Sequence, residues 1–141
     1  MASIVQGQTT TFKTQLLSGN MDFDVDVFKI ALYTNDATLN SETTAYTTTE
    51  EVVGTGYIAG GNTLTVVGPA YDNTSNSAYV SFDTTTWTGT FSARGALVYN
   101  TTSSNYSVCV LDFGEVKTIS ALTLTVTFPD NTSTTALIRI E

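Results

Sequence analysis

Three observations predict a mainly β chain folded as a single-domain antiparallel β-sandwich or barrel, with one short N-terminal helix and an extended N-terminal arm. Apolar and polar residues alternate with a period of two through much of the sequence, the pattern of strands wetted on one face. Roughly one residue in five is threonine, whose branched Cβ suits the outer face of a pleated sheet. Gly, Pro, Asn and Asp clusters then cut the alternation into short runs, as in sandwiches and barrels. A chain of 141 residues needs only one core, and no repeat or linker divides it. The expected organisation is therefore an extended arm over 1–11 and a single β domain over 12–141.

Taken in order, the polar stretch Met1 to Thr11 reads as the arm. Phe12, Leu16 and Leu17 recur at helical spacing, with Gly19 placed to end a short helix. From Phe28 to Tyr33 a half-buried strand is expected, with Phe28, Ile30 and Leu32 on one face and Lys29, Ala31 and Tyr33 on the other. Thr47 with Glu50 and Thr48 with Glu51 match capping-box spacing, which predicts a helical turn over Thr48 to Val53, broken by Gly54 and Gly56. Strands are then predicted at Leu64–Val67, Ala78–Phe82, Trp87–Phe91, Ala93–Tyr99, Val108–Phe113, Ile119–Phe128 and Ala136–Ile140. Turn chemistry separates most of them, at Gly68-Pro69, Asp72-Asn73, Asn100 to Asn105, Gly114 and Pro129-Asp130-Asn131. Ile119–Phe128 alternates most clearly: Leu122, Leu124, Val126 and Phe128 should face inward, and Thr123, Thr125 and Thr127 outward.

Charge narrows the function classes. The net charge is −8, and the five cations, Lys13, Lys29, Arg94, Lys117 and Arg139, are scattered along the chain. No stretch can neutralise several phosphates together, so neither nucleic acid nor an anionic membrane is an expected partner. Charged residues make up only 13% of the chain, about half the ordinary share, so hydroxyls and amides take their place on the surface. Such a surface is wettable yet far less costly to desolvate than an ionic one, which suits protein contacts. Met1 to Thr11 has no basic region followed by an apolar block, and no stretch has the length of a membrane span, so neither export nor insertion is expected.

The chain has no histidine, which removes the side chain that most readily moves protons near neutral pH. Ser, Thr and Cys109 nucleophiles therefore lack an imidazole base, and no S-x-x-K run replaces it. Cys109, the only cysteine, lies between Val108 and Val110 and reads as a packed thiol. Asp22, Asp24 and Asp26 resemble the start of a calcium loop, but Val27 and Tyr33 stand where its Gly and bidentate Glu belong. They read instead as the solvated edge of a strand containing Phe23, Val25 and Val27. Glu50 and Glu51 are a carboxylate pair of the kind glycoside hydrolysis uses, although adjacency in sequence does not supply the required separation. Gly54-Thr55-Gly56 and Gly60-Gly61 lack the Lys-Ser/Thr of a phosphate loop, and Asp112-Phe113-Gly114 lacks the other kinase motifs, so turns and close backbone approach account for both. Asn73, Asn100, Asn105 and Asn131 begin sequons that a Ser/Thr-rich chain produces by chance. Trp87 is assigned to the core.

The ordered landmarks are Phe12-Lys13-x-x-Leu16-Leu17, Phe28 to Thr34, and Tyr46-Thr47 through Glu51-Val52-x-Gly54-x-Gly56-Tyr57-x-x-Gly60-Gly61. They continue with Trp87, Ala93 to Asn100, Val110 to Gly114, Thr127-Phe128-Pro129 and Ile138-Arg139-Ile140. Together they resemble a family of small structural proteins of tailed bacteriophage virions, found among head and tail morphogenesis products. The resemblance runs from Phe12 to Ile140; its specificity lies in number and order, since each landmark is weak alone. Cys109, in place of a small aliphatic residue, and the Thr84-Thr85-Thr86 run depart from the pattern. No active site is carried over.

The resemblance implies a virion component made in the host cytoplasm. The expected role is a capsid decoration or cement protein on the outer surface of the head, bound to the major capsid protein and to further copies of itself, with a trimer favoured. No enzymatic activity, cofactor or metal is expected. The expected capsid-contact residues are Ala2, Ser3, Ile4, Val5 and Gln6 of the arm, able to add as a strand to an exposed sheet edge. A head fibre or tail component touching host glycan, and a small polysaccharide hydrolase, are the alternatives.

Overall fold

The computed structural model describes residues 2–141; Met1, the first residue of the expected arm, lies outside them. The elements are β1 (Gly7–Gln8), α1 (Thr10–Leu17), β2 (Phe28–Tyr33), β3 (Asn62–Thr63), β4 (Val66–Asp72), β5 (Ser77–Phe82), β6 (Thr85–Asn100), β7 (Tyr106–Val126) and β8 (Ile138–Ile140). One sheet has the order β1-β7-β6-β2-β3 and the other β4-β5-β8, with every named pairing antiparallel. This is the mainly β, sandwich-like architecture with one short N-terminal helix that the alternation and turn chemistry predict.

The long hairpin β6-β7 organises the fold. Its turn is the predicted one: Asn100 Oδ1 accepts hydrogen bonds from the N–H groups of Thr102 and Ser103, and Ser104 and Asn105 take φ of 52° and 55°. Two predicted breaks are absent. Trp87–Phe91 and Ala93–Tyr99 merge into β6, because Ser92 stays in register opposite Thr118. Val108–Phe113 and Ile119–Phe128 merge into β7, where Gly114, at φ 83°, sits in a bulge between the Ala93–Lys117 and Gly95–Asp112 pairs. Asp112 Oδ1 accepts from the Gly114 N–H at 2.8 Å, so Asp-x-Gly turn chemistry bends the strand instead of reversing it. β7 ends at Val126. Val126 and Phe128 are buried and Leu124 half-buried as expected, but Leu122 is 61% exposed.

Elsewhere the elements shift. Of the predicted Leu64–Val67 strand only Val66 and Val67 are strand: Leu64 and Thr65 lie between β3 and β4, and β4 continues through Gly68-Pro69 to Asp72, with a register irregularity between Val67 and Ala70 on an edge that tolerates proline. The Thr48–Val53 helical turn does not form. Glu51 N–H donates to Thr48 O across a tight turn in which Glu50 takes φ 59°, and Thr34 N–H to Glu50 O and Val52 N–H to Leu32 O then bind the segment to β2. The acidic run is not a strand edge: Asp22 Oδ1 accepts from Asp24 N–H, and Asp26 Oδ2 from Asp22 N–H and Asn100 Nδ2, closing a turn that buries Phe23 against Phe28. The helix takes in the last two residues of the expected arm, Thr10 and Thr11. Buried Thr9 caps it by accepting from Phe12 N–H, Phe12 and Leu16 face inward, and Leu17 is exposed.

The main core lies between the sheets, with Phe12, Phe28, Ile30, Leu32, Phe82, Trp87, Phe91, Val98, Val108 and Phe128 among its members. A second cluster sits on the other side of the five-stranded sheet: Ile4, Ala31, Tyr33, Ala37, Leu39, Leu97, Tyr99 and Val110. β2 is therefore buried on both faces instead of half-buried, because the N-terminal segment and the chain after β2 cover Ala31 and Tyr33.

Candidate functional site

Glu51 is the centre of the densest polar cluster. Its segment pairs with Tyr33 as a single β-bridge, which places its carboxylate under the chain that follows. Oε1 accepts hydrogen bonds from Tyr57 Oη at 2.6 Å and Gly60 N–H at 2.7 Å, and Oε2 accepts from Tyr46 Oη at 2.6 Å. Tyr57 Oη in turn accepts from Leu32 N–H, and Tyr99 Oη donates to Gly60 O while its ring stacks on Tyr46. Burial, reinforced by the Glu51 carboxylate, pushes the phenols of Tyr46 and Tyr57 well above the ordinary tyrosine range; Tyr99 is pushed up to about 12, first by burial and then by Glu51. The phenols therefore stay protonated donors through the neutral range. This geometry supplies three donors to one buried carboxylate and fastens residues 46–61 to the sheet. Gly56 and Gly61 belong to the same arrangement: a Cβ on either would collide with the carbonyl oxygen of Thr88 or Ile30.

The adjacent acid diverges. Glu50 has φ 59°, is exposed, and accepts from Thr34 Oγ1 at 3.2 Å, whereas Glu51 is buried. The two carboxylates face different surroundings. The tyrosine partners of Glu51 escaped sequence reasoning, because capping-box spacing offered a local use for the same residue.

The expected contact segment is partly absorbed by its own fold. Ser3 and Val5 exchange main-chain hydrogen bonds with Leu39, and Gly7 and Gln8 pair with Val110 and Cys109 of β7. Gln6 Oε1 accepts from Asp112 N–H. Strand addition thus occurs within the chain. Ile4 is 8% exposed and packs over Gly95, where a Cβ would lie 2.9 Å from Ile4 Cγ2, so glycine is needed there for close approach. Ala2, Ser3, Val5 and Gln6 remain exposed, Val5 at 56%.

A second polar surface lies on the far half of the β6-β7 hairpin. Thr86 pairs with Thr125, Thr88 with Thr123, and Ser92 with Thr118, which puts these side chains on one face with Thr90. All seven residues are exposed. Thr88 and Thr123 hydroxyls are 2.8 Å apart, those of Ser92 and Thr118 3.0 Å, and Thr90 Oγ1 accepts from Ala121 N–H. The array spans about 20 Å along β6. No charged residue occurs in 84–93 or 118–129. Opposite it, Trp87, Phe91, Ile119 and Val126 hold the ribbon on the core.

The remaining motifs have structural places. Cys109 is buried, which pushes its thiol up to about 12. Trp87 is a core residue, and among the described residues its Nε1 has no acceptor. Asp112 holds the Gly114 bulge and pairs with Arg94 at 2.9 Å. A groove of about 370 Å³ between the Met21–Asp24 turn and strands β5 and β8 is mainly apolar. Among the described residues no three His, Cys, Asp or Glu side chains gather to hold a metal, and no helix is long and apolar enough to cross a membrane. Comparison with protein-family models, curated proteins and solved structures finds no match.

Proposed function

We propose that this chain is a structural protein of a tailed-bacteriophage virion, acting as a capsid decoration protein that binds the outside of the head and stabilises it. The observation that carries the reading is the hydroxyl array of Thr86, Thr88, Thr90, Ser92, Thr118, Thr123 and Thr125, a charge-free face on a ribbon backed by the core. Threonine offers a methyl group and a hydroxyl that bonds to any polar neighbour, so such a face is desolvated at far lower cost than an ionic one. The exposed Ala2, Ser3, Val5 and Gln6 offer a second contact. A subunit that binds the closed shell better than free capsid protein stabilises the shell by mass action, and lattice neighbours reinforce modest contacts.

The landmark resemblance supports the same reading. Glu51, Tyr57, Gly60 and Gly61 fasten a loop, and Gly95 and Gly114 shape the sheet, so these landmarks serve the fold and leave function to the surface. The hydrolase alternative needs two carboxylates across one opening, and Glu51 has both oxygens engaged by internal donors. Major capsid protein and further copies of this chain are the proposed partners, and assembly follows synthesis in the host cytoplasm.

The test is quantitative mass spectrometry of purified particles of the encoding virus. A decoration protein is present in numbers comparable to the capsid subunits. A few copies per particle assign it to a fibre or tail instead, and its absence refutes the virion reading.

A further inference from the structure

The outer edge of β7 is covered along its first third and then bare. Ala45 bridges Tyr106, β1 pairs with Cys109 and Val110, and Gln6 takes the Asp112 N–H. From Phe113 to Val126, among the described residues, no other strand adds to that edge. The equivalent edge of β6 is treated differently: β2 pairs with Gly95–Asn100, Thr55 bridges Thr90, and Asn62 Nδ2 donates to Thr86 O.

Sheet edges left open in a soluble protein are usually guarded by charge, proline, brevity or a bulge. β4 carries Pro69 and an irregular register, β8 is three residues long and includes Arg139, and the start of the bare edge carries Glu115 and Lys117. Past the Ala121 irregularity, the five residues Leu122, Thr123, Leu124, Thr125 and Val126 stand in unbroken register with β6 and have no such guard. Leu122 is 61% exposed. Beside this edge runs a groove of about 350 Å³, into which half-buried Leu111, Phe113 and Leu137 project.

We propose that the Leu122–Val126 edge seats a second copy of this chain, added antiparallel about a twofold axis at Leu124. The sequence L-T-L-T-V reads almost the same in both directions. Antiparallel pairing with itself sets Leu122 against Val126, Thr123 against Thr125 and Leu124 against its own copy, so apolar meets apolar and hydroxyl meets hydroxyl. Electrostatics point to the same occupant. Two chains of net charge −8 repel over most of their surfaces, and residues 118–129 contain no charge to oppose a copy. Such a pair joins two five-stranded sheets into one and doubles the width of the threonine face. The closed twofold pair takes the place of the trimer favoured on the sequence resemblance. The inference goes beyond the virion reading and holds or fails separately from it.

The experiment is light scattering on the purified chain across a concentration series. Wild type is expected at twice the 15.0 kDa chain mass. T123K/T125K and T123E/T125E place like charges across the seam, so each alone is expected at the single-chain mass. Their equimolar mixture restores the pair. Wild type at single-chain mass throughout, a threefold mass, or variants that still pair overturns the proposal. Amide hydrogen exchange on the unmodified chain gives a second reading, independent of how the variants fold: protection within Leu122–Val126 should rise with concentration while Glu115–Lys117 stays unchanged. Protection independent of concentration overturns the proposal equally.

Discussion

Removing the Glu51 carboxylate tests what holds residues 46–61 in place. In Glu51→Ala, Gly60 N–H and the Tyr57 and Tyr46 hydroxyls lose their acceptor, and the first two lie in buried surroundings. Each buried donor left unpaired costs about 1–3 kcal/mol, and charge-assisted bonds lie at the upper end. Removing the desolvated charge recovers part of that cost, so the net loss is set at about 3–5 kcal/mol. For a domain of this size that lowers the midpoint of thermal unfolding by about 10–15 °C. Glu51→Gln keeps the shape and one acceptor oxygen, so it should lose about 1–3 kcal/mol. Urea unfolding followed by far-UV circular dichroism measures both. The decisive comparison is a double-mutant cycle of Glu51→Gln with Tyr46→Phe, in which the two costs should fail to add because both remove the same bond. A Glu51→Ala loss below about 1 kcal/mol, or additive single changes, would refute the argument that this carboxylate is a structural fastener.

Four other outcomes follow from the geometry. Ile4→Ala should cost about 2–4 kcal/mol by emptying a site over Gly95, while Val5→Ala stays within about 0.5 kcal/mol, and chemical denaturation separates them. Thr88→Asp should leave the unfolding midpoint nearly unchanged but weaken co-sedimentation with undecorated heads; unchanged binding removes the hydroxyl face from the contact. Arg94, together with the Gly114 N–H, holds the Asp112 carboxyl below the usual range, so its contribution is present above the unfolded-state value of about 3.9 and fades as pH falls through the lower folded-state value. The stability gap between wild type and Asp112→Asn should therefore narrow on acidification below about pH 4, as read by denaturation at several pH values. Cys109 should react with a thiol reagent only as fast as the chain opens, so adding denaturant accelerates labelling sharply.

Alternation in the sequence carried the fold class, and turn chemistry at Asn100–Asn105 carried the central hairpin. The misreadings share one physical origin: a local motif has more than one structural use. Asp112-Phe113-Gly114 has the residues of a reversal, but the ladder continues on both sides, so those residues make a bulge. Thr48 and Glu51 have the spacing of a helix cap, yet Glu51 finds three donors from residues up to nine positions away, and no short-range pattern contains that competition. Ile4 and Val5 read as free contact residues of a polar arm because the surface that buries Ile4 is assembled from Leu39, Gly95 and Leu97, far along the chain. Deleting the whole arm is thus a poor test of contact, since it uncovers the core as well as the surface. The threonine face, in contrast, was legible as the outward set Thr123 and Thr125; its partners Thr86 and Thr88 needed the register of β6 on β7.

The central claim is that the chain acts by fitting its surface to a viral shell. The most direct measurement is the disruption temperature of empty heads of the encoding virus, prepared without this protein and then titrated with it. The account predicts a saturable rise at a fixed ratio to the capsid subunit, reduced by Thr88→Asp and preserved in a fold-neutral control such as Leu17→Ala. A disruption temperature indifferent to saturating protein, with no chain sedimenting alongside the heads, would contradict it.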